Sequence, residues 1–325
     1  MPTVAPFDLE GHCVAAAFIG GIPVFALAEG VVHWLDHGQK STTLHDGLLT
    51  ATSSLDAKSL LTGGEDGKVV AFSPASGHST ELADLGRKWI TGIAAGPQDA
   101  IAFASGRTAT VRFADGRTKD FPCPRSVEGV AFAPKGMRLA IARYNGATLY
   151  FPATESKPVE LEWAGAHTGV TFSPDGNFLV TTMQENALHG WKLIDGKHMR
   201  MSGYPAKVKS FSWSARGRWL ATSGAPAAIV WPFSGKDGPM GKAPVELGTR
   251  GNVMVTSVAC HPTDEIVAIG YSDGMVLAAR IADQKEVLLR RPGKGAISSL
   301  AWDGEGRRLV FGTETGDCGV IDISA

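Results

Sequence analysis

The chain has 325 residues, with 31 Lys and Arg against 32 Asp and Glu, so its formal net charge is −1. Such a balance lacks the broad positive field of non-specific nucleic-acid binding and argues against a nucleic acid as the main ligand. The 40 glycines, 18 prolines and 8% aromatic residues are typical of many short strands separated by turns. The composition therefore predicts an all-β protein, and all-β chains of this length can form one domain.

Near the start of the chain, residues 13–28 carry no charge and end in a small-residue pattern like that of a signal-peptidase site. The preceding residues contain no Lys or Arg but do contain Asp8 and Glu10, whereas a secretory signal begins with a basic region. The apolar stretch is also too short for a membrane helix. We therefore expect a cytoplasmic protein with no membrane contact.

The four cysteines are widely separated, at positions Cys13, Cys123, Cys260 and Cys318. No CxxC spacing occurs, so the pattern predicts neither a zinc ribbon nor a disulfide framework. We expect reduced, mostly buried thiols.

An internal repeat runs through the whole chain. Each copy has an apolar strand, a turn, a second strand, a second turn and a third strand that ends on an apolar residue. The third strands end at Trp34, Phe72, Phe113, Phe151, Trp191, Trp231, Ala279 and Ile321. Successive ends are separated by 38 to 48 residues, which is the spacing of four-stranded blades in a β-propeller.

The repeats predict a single closed propeller over residues 1–325, with eight blades favoured and seven as the alternative. The predicted repeats span residues 13–44, 48–82, 89–121, 128–161, 168–201, 208–247, 255–289 and 296–324. The last copy lacks a fourth strand, and residues 3–9 precede the first copy without a partner. We expect these residues to pair with the last blade and to cover its open edge. The residues from Gly235 to Asn252, rich in glycine and proline, predict a surface loop between blades.

Several short motifs resemble those of the WD40-repeat family, and the likeness, to a divergent, prokaryotic-type member, covers essentially the whole chain. They include the turn from Ser173 to Gly176, the turn from Gly63 to Gly67, and the strand ends at Trp34 and Trp191. The resemblance implies a buried hydrogen-bonded tetrad in two blades. Its matching positions are His45, Thr62 and Asp66 in the second repeat and His167, Thr181 and Trp191 in the fifth, where Glu185 replaces the usual Asp.

In a propeller, the loops that enter each first strand and the turns between second and third strands gather around the channel mouth, which is the default binding surface. The side chains expected there include several Arg, Lys and aromatic residues, types that dominate interfaces. They are Glu65, Lys88, Trp89, Arg107, Arg125, Arg143, Tyr144, Lys207, Asn252, Tyr271 and Lys294. We therefore expect a scaffold, monomeric by default, that binds a protein or peptide partner.

No nucleophile elbow, P-loop, HExxH or paired-carboxylate motif occurs in the sequence, so we expect no enzyme activity and no cofactor. The histidines His12, His33, His37 and His45, with Cys13, are the residues nearest to a metal-ligand set. Their spacing does not suit a short-loop zinc site, so we predict no metal. A propeller enzyme, or a small-ligand or metal binder that uses the central channel, remains the alternative.

Overall fold

A computed structural model describes residues 3–324, and these residues form β-strands joined by short turns. By contact density the chain divides into two compact units, residues 1–42 with 204–325 and residues 43–203, each described by itself below. The prediction of a single domain over residues 1–325 stays a prediction. A short 3₁₀ helix spans Pro97–Asp99. No helix in the described part of the chain has the length and apolar character to cross a membrane.

The unit of residues 1–42 and 204–325 contains four antiparallel sheets of four strands each. The first sheet contains β2 (Cys13–Ile19), β3 (Ile22–Leu27), β4 (Val31–Leu35) and β5 (Gln39–Thr43). The second sheet contains β20 (Phe211–Trp213), β21 (Trp219–Thr222), β22 (Ala228–Pro232) and β23 (Val245–Leu247). The third sheet contains β24 (Val255–Cys260), β25 (Ile266–Tyr271), β26 (Val276–Arg280) and β27 (Glu286–Arg290). The fourth is β28 (Ile297–Trp302), β29 (Arg308–Thr313), β30 (Asp317–Asp322) and β1 (Thr3–Asp8).

The N-terminal strand completes the last sheet, as predicted. Residues Thr3–Asp8 pair antiparallel with Asp317–Asp322, in a register that places Phe7 opposite Cys318. A backbone hydrogen bond of 2.9 Å from the Leu9 amide to the Gly316 carbonyl continues the pairing. The third strand of this sheet is therefore covered along its length by the start of the chain.

The predicted surface loop between Gly235 and Asn252 is wrong in part. Residues Val245–Leu247 within it form the fourth strand of their sheet and pair with Ala228–Val230. Leu247 is buried in the apolar cluster that this sheet shares with its neighbour. The many glycines and prolines around this short segment concealed a strand of only three residues.

The unit of residues 43–203 contains fourteen strands in three sheets, within the described residues. Two sheets have four strands, β6 (Leu48–Ser53), β7 (Leu60–Gly64), β8 (Lys68–Ser73) and β9 (His78–Asp84), then β10 (Gly92–Ala95), β11 (Ile101–Ser105), β12 (Thr108–Arg112) and β13 (Thr118–Pro122). The third has six strands, β14 (Val127–Phe132), β15 (Leu139–Tyr150), β16 (Val159–Phe172), β17 (Phe178–Met183), β18 (Ala187–Lys192) and β19 (His198–Met201).

Residues 3–324 therefore form seven sheets rather than the eight blades that the repeats favoured, and the alternative count of seven matches. The difference arises in the fourth and fifth repeats, which share the six-stranded sheet. The first part of β16 pairs with β15, while His167 and residues 169–172 of the same strand pair with β17. Strand β16 is continuous through both parts, although its pairing with β15 shifts register and Gly165 has a φ of +126°, so no separate loop lies between the two repeats.

Alternating apolar side chains hold each sheet against its neighbour within a unit. Among the buried examples are Leu61, Val69 and Phe103, which pack together between the two four-stranded sheets of residues 43–203. Burial of such side chains stabilises a fold by about 1.5–3 kcal/mol each relative to exposure, so these clusters position the turns that carry the candidate site.

Candidate functional site

One edge of the sheets in residues 43–203 carries the turns between second and third strands and the loops that enter each first strand. We call this the turn edge and define it by residues 43–47, 64–67, 85–91, 105–107, 123–127, 143–145 and 162–167. Backbone hydrogen bonds join neighbouring loops, from Glu65 to Gly47 at 2.8 Å and from Ile90 to Gly64 at 3.0 Å. Cys123 likewise donates to Arg107 at 2.7 Å. The turn edge is thus a connected surface whose backbone is fixed by hydrogen bonds.

Glycine is required where these loops approach each other most closely. Gly67 has a φ of +80°, and a Cβ added to it would lie 1.7 Å from the carbonyl oxygen of Gly86. A side chain there would force the turn of residues 64–67 away from the loop of residues 85–91. The glycine-rich turn is therefore explained by packing, as the sequence predicted.

Six of the predicted surface residues lie exposed on this turn edge, namely Glu65, Lys88, Trp89, Arg107, Arg125 and Tyr144. Trp89 is 55% exposed and Tyr144 is 51% exposed. Large aromatic side chains are seldom left so open on an inert surface, and beside arginine they are typical of contact sites.

An open cleft of about 470 Å³ lies at one end of the turn edge. Arg125, Tyr144, Asn145, Glu162 and Trp163 line it, together with Pro124, Arg143 and Ala164. Trp163 was not predicted as a site residue, because it falls between two predicted repeats and has no counterpart in the others. The cleft therefore brings two of the exposed predicted residues, Arg125 and Tyr144, together with an aromatic wall that was not predicted.

The rings of two histidines, His189 and His198, pack against the ring of Trp163. Its ring stacks on that of His189 with centroids 4.1 Å apart, and His198 lies next to both. His189 is fully buried, and neither of its ring nitrogens has a hydrogen-bond partner. Burial, with smaller contributions from the nearby His198, His167 and Arg200, lowers the pKa of His189 to about 3. A neutral imidazole therefore supports the cleft wall at physiological pH.

Arg143 was predicted to lie on the partner-binding surface, but its side chain is largely buried, although it lines the cleft. Its side chain is buried, 9% exposed by residue, and donates to the Thr148 hydroxyl at 2.9 Å and to the carbonyl oxygens of Tyr144 and Asn145 at 3.1 and 3.3 Å. It also forms an ion pair with Glu160. The guanidinium holds the loop that presents Tyr144, so its contribution is to position that loop.

Three predicted surface residues and Asn252 lie in the other unit. Tyr271 is fully buried and donates its hydroxyl hydrogen to the Gly248 carbonyl, so its predicted exposure is wrong. Burial raises the pKa of this phenol well above its usual value. Lys207 is half-buried, Asn252 is exposed, and Lys294 is exposed with its ammonium 4.0 Å from the Asp8 carboxylate.

The second repeat contains the hydrogen-bonded set expected from its sequence. His45 Nδ1 lies 3.0 Å from Asp66 Oδ1, and His45 Nε2 lies 2.8 Å from the Thr62 hydroxyl. The Thr62 hydroxyl donates in turn to the Val70 carbonyl at 3.2 Å. These buried bonds join the loop before β6 to the turn after β7, so they stabilise the backbone of the turn edge.

The fifth repeat has a different arrangement. His167 Nδ1 lies 2.7 Å from the Thr181 hydroxyl, while its Nε2 bonds to the Trp163 carbonyl at 3.0 Å. Glu185 accepts a hydrogen bond from the Ala166 amide at 3.1 Å. The His167 and Trp191 rings lie 5.7 Å apart. The imidazole therefore anchors the backbone next to the cleft, and burial lowers its pKa.

A groove of about 450 Å³ lies on the first strands of the unit of residues 204–325. Its hydroxyls are used within the fold, since Ser210, Ser212 and Ser299 accept from the amides of Val258, Cys260 and Ala16 at 2.9 to 3.0 Å. No carboxylate or histidine is among the described residues that line it. Its titratable groups are Lys209 and Cys260, and the Cys260 thiol donates to the Ser212 carbonyl at 3.2 Å.

Each of the four histidines considered as a metal ligand in the sequence has its own surroundings in the structure. His12 and His37 are exposed, and His33 is half-buried with its pKa lowered by that burial. His45, in the other unit, bonds to Asp66 and Thr62. Within residues 3–324, no three His, Cys, Asp or Glu side chains are grouped closely enough to hold a metal ion.

Comparisons with known proteins relate the chain to propeller proteins. A family model described as the anaphase-promoting complex subunit 4 WD40 domain matches residues 258–325. Telomerase protein component 1 of Rattus norvegicus is 26% identical over 200 residues, which is 59% of this chain and 7% of that protein. The Mus musculus protein of the same name is 25% identical over 199 residues, with the same coverage. The similarity thus reaches a small fraction of these relatives, and neither supports a prokaryotic-type assignment.

Two solved structures share the fold across nearly the whole chain. The computationally designed Ika8 protein superposes with a TM-score of 0.77 and 20% identity, covering 97% of this chain and 98% of its own. The C-terminal WD40 domain of Sif2 superposes with a TM-score of 0.77 and 13% identity, covering 99% of both chains.

Proposed function

We propose that this chain, which belongs to the WD40-repeat β-propeller family, is a non-catalytic scaffold that binds a protein or peptide partner on the turn edge of residues 43–203. The observation that carries the proposal is the pair of exposed aromatic residues, Trp89 and Tyr144, on a surface whose backbone is fixed. Binding energy in protein interfaces concentrates on such aromatic and arginine side chains. A fixed backbone reduces the entropy lost on binding.

The names of the similar proteins also support an assembly role. Anaphase-promoting complex subunit 4 and telomerase protein component 1 are, by those names, parts of larger assemblies. WD40 propellers in general bind protein partners, although a fold alone does not determine function. We place the scaffold in the cytoplasm, a choice supported by four cysteines that are all free thiols in the described residues.

The alternative of an enzyme or small-ligand binder has less support. The groove on the first strands of residues 204–325 is lined by serines whose hydroxyls hold neighbouring strands together. The cleft on the turn edge has one arginine and one glutamate that are exposed, Arg125 and Glu162, but no nucleophile paired with a base.

Paired substitutions on opposite edges of the same unit test the proposal. Trp89→Ala with Tyr144→Ala removes the two exposed aromatics of the turn edge. The matched control, Leu55→Ala with Ile194→Ala, removes apolar side chains that are 69% and 86% exposed in turns at the opposite ends of the strands.

Affinity purification of each protein from cells that express it, followed by quantitative mass spectrometry, reads out the result. We expect the recovery of specific partners to fall about tenfold or more with the turn-edge variant and to stay unchanged with the control variant. Truncation of a hot-spot side chain costs about 1.4 kcal/mol or more of binding free energy, which corresponds to that factor in affinity. Equal recovery by the turn-edge variant and the wild type would contradict the proposed function.

A further inference from the structure

We infer that the segment bound on the turn edge is an extended acidic peptide with an aromatic or aliphatic anchor residue. This inference rests on the proposed function and specifies its partner. Three successive loops of the turn edge, residues 85–91, 105–107 and 123–127, contain four cationic residues and no Asp or Glu. The cations are Arg87, Lys88, Arg107 and Arg125, and Trp89 lies among them in sequence.

All four cations are exposed. In the part of the chain that the structure describes, no hydrogen bond or ion pair involves their side chains. Elsewhere in the same unit, Lys68, Arg117 and Lys119 each have a carboxylate partner within 3.0 Å. The turn edge therefore presents positive charge that the fold does not neutralise.

The loops that carry these cations are adjacent, so one extended segment can contact them in turn. Cys123 donates to Arg107 and Val127 to Gly106, at 2.7 and 2.9 Å, which joins the second loop to the third. The third loop also lines the cleft through Arg125. An arginine without a partner is suited to bind a carboxylate through two parallel hydrogen bonds.

The cleft at the end of this row supplies the apolar part of the recognition. Trp163, stacked on His189, forms a preorganised wall, and the exposed ring of Tyr144 lines the cleft with it. Arg143, which also lines the cleft, is paired with Glu160 and adds no unpaired charge. The cleft is thus matched to one aromatic or aliphatic side chain, and carboxylates are expected where the segment crosses the row of cations, away from the exposed Glu162.

A peptide fits these observations better than a nucleic acid does. The whole chain has a net charge of −1, and the exposed Glu162 lies in the cleft itself. Polyanion binding relies on many phosphate contacts and a broad positive field, whereas a row of four cations that ends at an aromatic cleft suits a short acidic segment.

Selection from a phage library of short random peptides on the immobilised full chain tests the inference. We expect the enriched peptides to combine net negative charge with an aromatic or aliphatic residue. A synthesised peptide of this kind should bind Arg107→Glu with Arg125→Glu about tenfold or more weakly than the wild type. The matched control, Lys58→Glu with Lys135→Glu, changes exposed lysines in turns at the opposite edge and should leave the affinity unchanged.

The results separate the inference from the proposed function. If the enriched peptides are neutral or basic, and the variant Trp89→Ala with Tyr144→Ala no longer binds them, the inference of an acidic segment is wrong. The proposed scaffold function would still hold in that case. Failure to enrich any acidic peptide, or unchanged affinity in the Arg107→Glu and Arg125→Glu variant, would also overturn the inference. The inference would also be wrong if a single-stranded RNA or DNA oligonucleotide of random sequence bound more tightly than the synthesised peptide and lost that binding in the Arg107→Glu and Arg125→Glu variant.

Discussion

His45 Nδ1 lies 3.0 Å from Asp66 Oδ1, and this contact connects the loop before β6 to the turn after β7. Asp66 also accepts a hydrogen bond from the Lys68 amide at 3.1 Å, so one carboxylate fixes both the histidine and its own turn. The neighbouring Glu65 is presented on the turn edge from this same turn. Buried hydrogen bonds therefore determine the geometry of an exposed surface.

Thr62→Val tests the energetic contribution of this network. The variant keeps the shape of the side chain but removes the hydroxyl that His45 Nε2 contacts at 2.8 Å. A buried polar group that loses its partner costs about 1–3 kcal/mol, and we expect the free energy of unfolding in urea to fall by that amount. The control is Thr52→Val, since no hydrogen bond of the Thr52 hydroxyl occurs within residues 3–324. Equal stability of the two variants would show that the network is dispensable.

Arg143→Ala distinguishes the positioning role of this residue from direct partner binding. Its guanidinium makes hydrogen bonds to Thr148, Tyr144 and Asn145 as well as the ion pair with Glu160. We expect a loss of about 1–3 kcal/mol in the free energy of unfolding, because backbone carbonyls of the Tyr144 loop lose their donor. Arg125→Ala, at an exposed site, should leave the unfolding free energy within about 0.5 kcal/mol of the wild type. A destabilisation in Arg125→Ala as large as that in Arg143→Ala would refute this distinction.

Removal of residues 1–10 tests the pairing of the N-terminal strand. The deletion exposes the edge of β30 along its register with Thr3–Asp8. We expect a melting temperature several degrees lower, or aggregation through the open edge, measured by calorimetry and light scattering. Val4→Lys retains the backbone pairing and serves as the control that melts like the wild type. A truncated chain that stays monodisperse with an unchanged melting temperature would contradict the pairing.

The buried His189 makes stability depend on pH. Its pKa is about 3 in the folded chain against an ordinary value of 6.5, so the unfolded chain binds a proton first as the pH falls. The contribution is therefore fully present above about pH 7 and is lost progressively below the unfolded pKa. From about pH 7.5 to about pH 5, we expect this group to cost the wild type about 2 kcal/mol of unfolding free energy.

Urea unfolding at the two pH values, compared between the wild type and His189→Leu, measures this cost. The His189→Leu variant should lose less stability on acidification than the wild type. His78→Leu, at an exposed position, should keep the wild-type dependence. If His189→Leu and the wild type show the same slope with pH, the buried neutral imidazole is not the cause.

Strand positions were predictable because alternation of apolar residues and regular turns reflect local geometry. The pairing of residues 3–8 with the last sheet also followed, since an incomplete last repeat requires an added strand. The count of sheets did not follow, because no residue pattern shows that a single strand, β16, pairs with both β15 and β17. The three-residue strand β23 was concealed by the glycine-rich loop around it.

The candidate site was predictable to a smaller extent, since a residue's place in a loop does not determine where its side chain points. Arg143 and Tyr144 are adjacent, yet one is buried and the other exposed, because the chain alternates at the start of that turn. Tyr271 similarly turns inward to reach the Gly248 carbonyl. Trp163 was missed because its role depends on stacking with His189, a contact between residues 26 positions apart.

Site-specific photo-cross-linking tests the central claim, that the turn edge of residues 43–203 is where the partner binds, most directly. The photoreactive residue p-benzoylphenylalanine replaces Trp89 or Tyr144 in one set and Leu55 or Ile194 in the other, followed by irradiation in cells that express the protein. We predict specific cross-linked partners from positions 89 and 144 and none of these from positions 55 and 194, as identified by mass spectrometry. Cross-links from positions 55 and 194 alone, or equally from all four, would contradict the account.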